Sequence, residues 1–185
     1  MIHSRCGSGA AMAASAILRT PKMEVFPVRA AKKSKSGPAA RTVLPPNKLP
    51  AANRAMIGQS LSMGMGRALG IRLSKLSRRR IEAEMRVTAG HINRSGRVNG
   101  GALMAFADVL GAMGTLANLP EGCRTTTLES KTNFFAAGEG ESLAATTLPL
   151  HIGRTTMVWQ TTIHNMDGTR VAIVTQTQIV IPQNG

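Results

Sequence analysis

The chain is poor in aromatic residues and in cysteine. Its 185 residues include four Phe, one Trp and no Tyr. Proteins that bind single-stranded nucleic acid stack its bases on aromatic side chains, so this scarcity argues against that class. The two cysteines, Cys6 and Cys123, are too few and too far apart for a disulfide framework or a zinc site. Such cysteine usage fits a reducing compartment, and we expect a cytoplasmic protein.

Acidic residues are almost absent from the first 80 positions. This part holds 16 basic residues and one acidic residue, Glu24, which gives a formal charge of +15. Residues 81–185 hold seven basic and eight acidic residues, which gives −1. The net charge of +14 therefore comes from the N-terminal part of the chain. A uniformly basic nucleic-acid-binding domain is disfavoured.

Residues 1–55 also lack a sustained apolar period, and Pro45, Pro46 and Pro50 interrupt helix formation. We expect a basic, disordered extension, or a start codon assigned too far upstream, with Met56 among the alternative starts. Two other interpretations stay open. One is an organellar transit peptide, since the segment contains Arg and Ser and almost no acid. The other is a basic arm that binds anionic polymers or lipids.

Residues 56–185 show the periodicities of a folded domain. Residues 57–70 suit a short helix or loop interrupted by glycines. Residues 71–77 and 80–88 alternate apolar with polar side chains, which predicts two strands. Four further runs rich in Thr, Val and Ile predict strands at Thr125–Phe135, Ser142–Ile152, Thr155–Asn165 and Arg170–Ile181.

The stretch Val98–Ala117 is apolar on all sides and predicts a helix buried within the fold. A membrane span is the alternative, but Asp108 near its middle would cost about 2.5–3.5 kcal/mol on insertion, so we expect no membrane association. Two strands, a buried helix and four more strands suggest an α+β architecture. We expect an antiparallel sheet that curls around one central helix.

Asp108 is the strongest candidate for chemistry, because it is the only charged residue between Arg97 and Glu121. A carboxylate among apolar side chains is costly unless it is paired, and burial increases its basicity, which suits a general base or a nucleophile. The alternative is a structural carboxylate that caps a loop or bonds across a subunit interface. The hydroxyl of Thr127, at the start of a strand, is able to bond this carboxylate or a water molecule, although an ordinary strand threonine is the plainer interpretation.

Other candidates lie in loops. The pair Gly100-Gly101 lets a substrate approach backbone N–H groups at a helix start, which can stabilise an oxyanion, although a tight loop entry is the plainer interpretation. Asn93 is able to orient a carbonyl or a water, although a turn is the usual role of such an Asn. We expect His91 on the surface or in a loop. Arg154 is either a solvated edge charge or a phosphate contact.

Together these residues resemble the hotdog-fold acyl-CoA thioesterases, and specifically their phenylacetic-acid-degradation-like branch. The likeness lies in the spacing of Asn93, Gly96, the pair Gly100-Gly101 and Asp108. Gly-Arg at 153–154 and Asp-Gly at 167–168 add to it. The family usually has His directly before the glycine pair, whereas this chain has Asn99.

The resemblance implies a hotdog fold and the hydrolysis of acyl- or aryl-CoA thioesters, without a cofactor or a metal. Asp108 acts in this scheme as base or nucleophile, and the N–H of Gly100 polarises the thioester carbonyl. Arg154 contacts the phosphates of CoA. The implied catalytic residues are Asp108, Asn93, Gly100 and Thr127, and the implied substrate-binding residues are Asn99, Gly101 and Arg154.

Sites in this family lie between two subunits, so the resemblance also implies a homo-oligomer, either a dimer or a dimer of dimers. Asp108 of one chain then faces Asn93 and Gly100 of the other. Two alternatives stay open. The first is a non-catalytic acyl-CoA-binding hotdog module, which the Asn99 departure motivates. The second and weaker one is a nucleic-acid-binding protein that uses its basic N-terminal segment.

Overall fold

The computed structural model describes residues 49–183 of the chain. The elements are α1 (Ala51–Ser62), α2 (Gly64–Ala68), β1 (Ile71–Leu76), β2 (Ile81–Arg86), α3 (Gly100–Leu116), β3 (Cys123–Phe134), β4 (Ser142–Ile152), β5 (Thr156–Asn165) and β6 (Arg170–Pro182). The predicted α+β class is confirmed. None of the described helices is both long and apolar enough to cross a bilayer.

The six strands form one antiparallel sheet in the order β1-β2-β4-β5-β6-β3. Strands β1 and β3 are therefore its two edges. The alternation in the sequence explains which face is covered: Ile81, Ala83 and Met85 of β2 are buried, and the polar residues between them point away from the core. Strands β4, β5 and β6 repeat this alternation and add most of the apolar face that a helix covers.

Helix α3 covers that face. Its side chains Phe106, Leu110 and Met113 are fully buried, which confirms the predicted core helix. Small residues on the same helix admit large groups from the sheet: a Cβ on Gly114 would lie 2.8 Å from the ring of Trp159. Glycine is therefore required where this ring packs against the helix.

Helix α1 begins at Ala51, directly after Pro50, so the folded domain extends further towards the N-terminus than the predicted start at residue 56. Asn53 on this helix is buried, and its Nδ2 donates to the carbonyl oxygens of Leu116 at 2.7 Å and Leu119 at 3.0 Å. These carbonyls lie at and just beyond the end of α3, where helix geometry leaves acceptors without partners. The predicted extension over residues 1–48 lies outside the described residues.

Candidate active site

The carboxylate of Asp108, predicted to be buried, lies between α3 and the sheet and is partly buried. Thr127 Oγ1 donates to Asp108 Oδ1 at 2.9 Å, which is one of the contacts that the sequence allowed for this hydroxyl. Gln176 Nε2 lies 3.2 Å from the same oxygen. No hydrogen-bond donor among residues 49–183 contacts Oδ2. One carboxylate oxygen is thus held by the fold, and the other is left for a ligand or a water.

The strand register explains why Thr127 faces α3. Residues of β3 alternate, so Thr125 and Thr127 point towards the helix, and Thr127 pairs with Gln178 of β6. A bulge between Thr127 and Glu129 then leaves Leu128 exposed. Since bulges redirect side chains at sheet edges, this one ends the run of inward-facing threonines next to Asp108.

The N-terminal end of α3 forms a second polar region. Asn99 caps the helix, with its Oδ1 accepting a hydrogen bond from Gly101 N at 2.8 Å. The N–H of Gly100 makes no hydrogen bond within the described part of the chain. The ring of Phe134 packs against Gly100, where a Cβ would lie 3.2 Å from Cζ. The cap thus occupies one N–H and leaves the neighbouring one for an external acceptor.

Asn93 is exposed and stabilises a turn. Its Oδ1 accepts hydrogen bonds from the backbone N–H groups of Ser95 at 2.9 Å and Arg97 at 3.2 Å. This is the ordinary turn role of an asparagine. The catalytic role implied for Asn93 stays a prediction, as do the substrate-binding roles implied for Asn99 and Gly101.

His91 lies in the loop before α3, which is one of the two expected places, and its side chain is buried. Its Nδ1 accepts a hydrogen bond from the N–H of Thr88 at 3.2 Å, and its Nε2 lies 3.0 Å from the carbonyl oxygen of Ala68. The first contact leaves the ring hydrogen on Nε2, which donates to Ala68. His91 therefore ties the loop before α3 to the end of α2, which is a structural role.

The single chain brings only some of the predicted residues together. Asp108 and Thr127 are in contact, but Gly100 precedes Asp108 on one helix by about 12 Å at 1.5 Å per residue. One small carbonyl group cannot reach both within a chain.

Arg154 is exposed in the turn between β4 and β5, next to Thr155, whose carbonyl oxygen accepts from Val180 N at 2.8 Å. It therefore lies at the end of the sheet where β3 begins.

Charge and metal chemistry add little at this site. Among residues 49–183, no group of three or more His, Cys, Asp or Glu side chains is arranged to hold a metal ion. Two exposed carboxyl groups have pKa values below the ordinary range. A hydrogen bond from the backbone N–H of Thr169 lowers the pKa of Asp167, and a hydrogen bond from Arg80 lowers that of Glu82. Neither carboxyl group contacts Asp108.

Two polar residues of the site were not predicted from the sequence. Gln176 and Gln178 lie on the buried face of β6, next to Asp108 and Thr127 respectively. The available signal was two glutamines at alternate positions in an otherwise strand-forming run. That signal is weak, because both faces of β6 mix polar and apolar residues.

Comparison with known proteins agrees with this geometry. The profile of the thioesterase superfamily matches residues 95–172. A relative from Deinococcus radiodurans, named as an esterase, is 34% identical over 119 residues. The match covers 63% of this chain and 74% of the relative. The proofreading thioesterase EntH of Cronobacter turicensis is 31% identical over 103 residues, 55% of this chain and 74% of the relative.

Solved structures extend the likeness to the fold. A Haemophilus influenzae thioesterase superposes with a TM-score of 0.64 at 26% identity, covering 69% of this chain and 89% of that one. A hypothetical thioesterase of Streptococcus pneumoniae, crystallised with coenzyme A, gives a TM-score of 0.54 at 27% identity, covering 62% and 88%. The sheet and central helix therefore define a hotdog fold. The chain belongs to the thioesterase superfamily, and its enzyme class is thioester hydrolase.

Proposed function

We propose that the protein hydrolyses acyl-CoA thioesters, with Asp108 as the catalytic carboxylate. One observation supports this most strongly. The Asp108 carboxylate is partly exposed on the central helix, and both of its donors, Thr127 and Gln176, bind the same oxygen. The other oxygen has no hydrogen-bond donor in the described part of the chain and is left for a water or a substrate. CoA as the carrier is suggested by the Streptococcus pneumoniae relative, which was crystallised with coenzyme A.

In the general-base route, Asp108 Oδ2 takes a proton from water while the water oxygen forms a bond to the thioester carbon. The carbonyl electrons move to its oxygen, which a backbone N–H stabilises. Collapse of this intermediate breaks the C–S bond, and the proton on Asp108 passes to the leaving thiolate. In the nucleophilic route, Oδ2 attacks the carbon directly, expels the thiolate and forms an anhydride that water then hydrolyses.

We propose that the oxyanion donor is Gly100 of a second copy of the chain. The separation of Gly100 and Asp108 along α3 supports this, because one chain cannot bring both to the same carbonyl. Strand β3 offers a route to such a dimer. It is an edge strand of 12 residues with exposed Leu128 and Phe134, and the unpaired backbone N–H and C=O groups of a long edge strand are able to pair with another strand.

The proposal also covers the acyl group of the substrate. Aryl-CoA thioesters are the first choice, because the motif around Asp108 resembles the phenylacetic-acid-degradation-like branch. Arg154, exposed at the end of the sheet near the start of β3, is the candidate for the CoA phosphates. A cytoplasmic location and assembly into a dimer or a dimer of dimers complete the proposal.

The deciding experiment measures thiol release from a panel of short, long and aromatic CoA esters by the purified full-length chain. We expect Asp108→Asn to lower kcat by about 10²- to 10⁴-fold, the range of general acid–base catalysis. Asp167→Asn is the matched control, because it makes the same change in an exposed turn and leaves the Thr169 contact possible. Equal rates for the wild type and Asp108→Asn would contradict the assignment.

A non-catalytic acyl-CoA-binding module is the second candidate, because Asn99 replaces the family's titratable His and is engaged as a helix cap. This alternative predicts saturable binding of CoA esters, measured by calorimetry, without thiol release. Thiol release that depends on Asp108 excludes it.

A further inference from the structure

Gln176 is a fully buried polar side chain. An apolar residue could fill its place in the packing at least as well. Gln176 Nε2 lies 3.2 Å from Asp108 Oδ1 and 3.3 Å from the carbonyl oxygen of Asp108. Its Oε1 has no hydrogen-bond partner in the described part of the chain. An unpaired buried acceptor destabilises a fold. The contact with Asp108 is therefore the feature that an amide, and no apolar side chain, provides at this position.

Gly111 makes that contact possible. A Cβ at this position would lie 2.3 Å from Gln176 Cδ, 2.5 Å from Oε1 and 2.6 Å from Nε2. At these separations, a side chain at position 111 would displace the Gln176 amide. Glycine within a helix is itself unfavourable relative to alanine. Both Gly111 and Gln176 thus lower local stability, and together they place one amide group against Asp108.

A second amide directs the other donor to Asp108. Gln178 Nε2 donates to Thr127 Oγ1 at 2.8 Å, so the single hydroxyl hydrogen of Thr127 is free to point at Asp108 Oδ1. The hydroxyl of Thr125 lies 3.3 Å from Gln178 Oε1 and 2.9 Å from the carbonyl oxygen of Ile179, so its single hydrogen is shared between these two acceptors. The sheet therefore presents two oriented donors to one carboxylate oxygen.

We propose that Gln176 is a positioning residue for catalysis, with Gly111 providing its space and Gln178 orienting Thr127. Gln176 holds Asp108 Oδ1 and its main-chain carbonyl together, so that Oδ2 keeps one direction towards the thioester. This inference rests on the proposed function, because it acts through Asp108.

The first test replaces Gln176 by Met, which is similar in length but has no donor. For thiol release by the full chain, we expect kcat to fall about 10- to 100-fold, the loss of one hydrogen bond to a charged group. KM should stay within about twofold, because substrate contacts are retained. Gln160→Met is the matched control, since Gln160 lies on the other face of the sheet. An unchanged kcat for Gln176→Met overturns the inference.

A double-mutant cycle separates positioning from a merely structural role. If Gln176 acts through Asp108, Gln176→Met in the Asp108→Asn background should leave the residual rate within about twofold. A structural role predicts instead a further loss of rate in that background, together with a lower Tm, and this outcome overturns the inference.

A pair of glycine variants provides an independent measurement. Gly111→Ala displaces the Gln176 amide and should lower kcat as Gln176→Met does. Gly114→Ala meets Trp159 at 2.8 Å and should lower Tm while kcat of the folded enzyme is retained. Equal kcat values for the two glycine variants contradict the inference.

A wild-type chain without thiol release overturns the proposed function and this inference with it. An active wild type, an inactive Asp108→Asn and a fully active Gln176→Met overturn this inference alone.

Discussion

Two regions of α3 pack against the sheet in the same way. They differ in whether their polar atoms are paired. In the first region, Gly114 admits the ring of Trp159, and the indole Nε1 donates to Thr115 Oγ1 at 2.9 Å. In the second, Gly111 admits the amide of Gln176 next to Asp108. Each region uses a helix glycine to bring a large side chain of the sheet close to the helix axis.

The difference lies in how the polar atoms are satisfied. The Trp159 ring is fully buried, its one donor is paired, and the Thr115 hydroxyl also bonds the Gly111 carbonyl at 3.2 Å. At the second region, Gln176 Oε1 is unpaired and the Asp108 carboxylate is partly exposed. A closed, fully paired region contributes stability. An open, incompletely paired region is the one able to bind and change a ligand.

The largest effect on stability should come from Trp159→Ala. It removes a fully buried ring and leaves a cavity beside Gly114, which costs about 3–5 kcal/mol in the free energy of unfolding. Urea unfolding followed by circular dichroism measures this. The thiol-release rate per folded molecule should be retained. A loss of less than about 1 kcal/mol would show that the core repacks and that this region is not the stabilising one.

Thr115→Val should have the next largest effect. The substitution keeps the shape of the side chain but leaves the buried indole N–H without an acceptor, which costs about 1–3 kcal/mol. The denaturant midpoint should fall and kcat should not change. Thr177→Val on the outer face of β6 is the control and should leave the midpoint in place. A lower kcat for Thr115→Val would remove the distinction between the two regions.

Thr127→Val tests the open region. Asp108 Oδ1 loses one of its two donors, so we expect kcat to fall about tenfold, or roughly 1.4 kcal/mol in activation free energy. The free energy of unfolding should also fall by about 1–3 kcal/mol, because the buried amide of Gln178 loses its acceptor. Thr126→Val, the exposed neighbour, is the matched control. A full rate for Thr127→Val would show that the hydroxyl is dispensable.

Gly58→Ala should have the smallest effect and the opposite sign. A Cβ at this position of α1 meets nothing within 4 Å, in contrast to Gly111 and Gly114. Alanine should therefore stabilise the domain by about 0.5–1 kcal/mol through helix propensity alone. Thermal unfolding measures the change. A decrease in Tm would show that Gly58 has a contact outside the described residues.

Much of the fold follows from local periodicity. Ile81, Ala83 and Met85 alternate with charged residues, so their strand and its buried face could be predicted. The core helix followed from its continuous apolar sequence, and Asp108 was identified because it is the lone charge there. In each case a short segment alone determines the pattern.

The remainder depends on contacts between distant segments. Gln176 and Gln178 were missed because Thr175, Thr177 and Ile179 form an equally mixed opposite face, and only pairing with β3 decides which face is buried. The burial of His91 was not predicted because its partner, Ala68, lies in another element. Helix α1 has weak amphipathic character; it buries Ile57 in the core and the amide of Asn53 against the end of α3.

That amide limits which shortened proteins can fold normally. Translation from Met56, or proteolysis within α1, removes Asn53 and leaves the carbonyl groups of Leu116 and Leu119 without their donor. A message read from Met23 still encodes the whole of α1. A shortened chain therefore keeps the described contact at the far end of the core helix only if it retains Asn53.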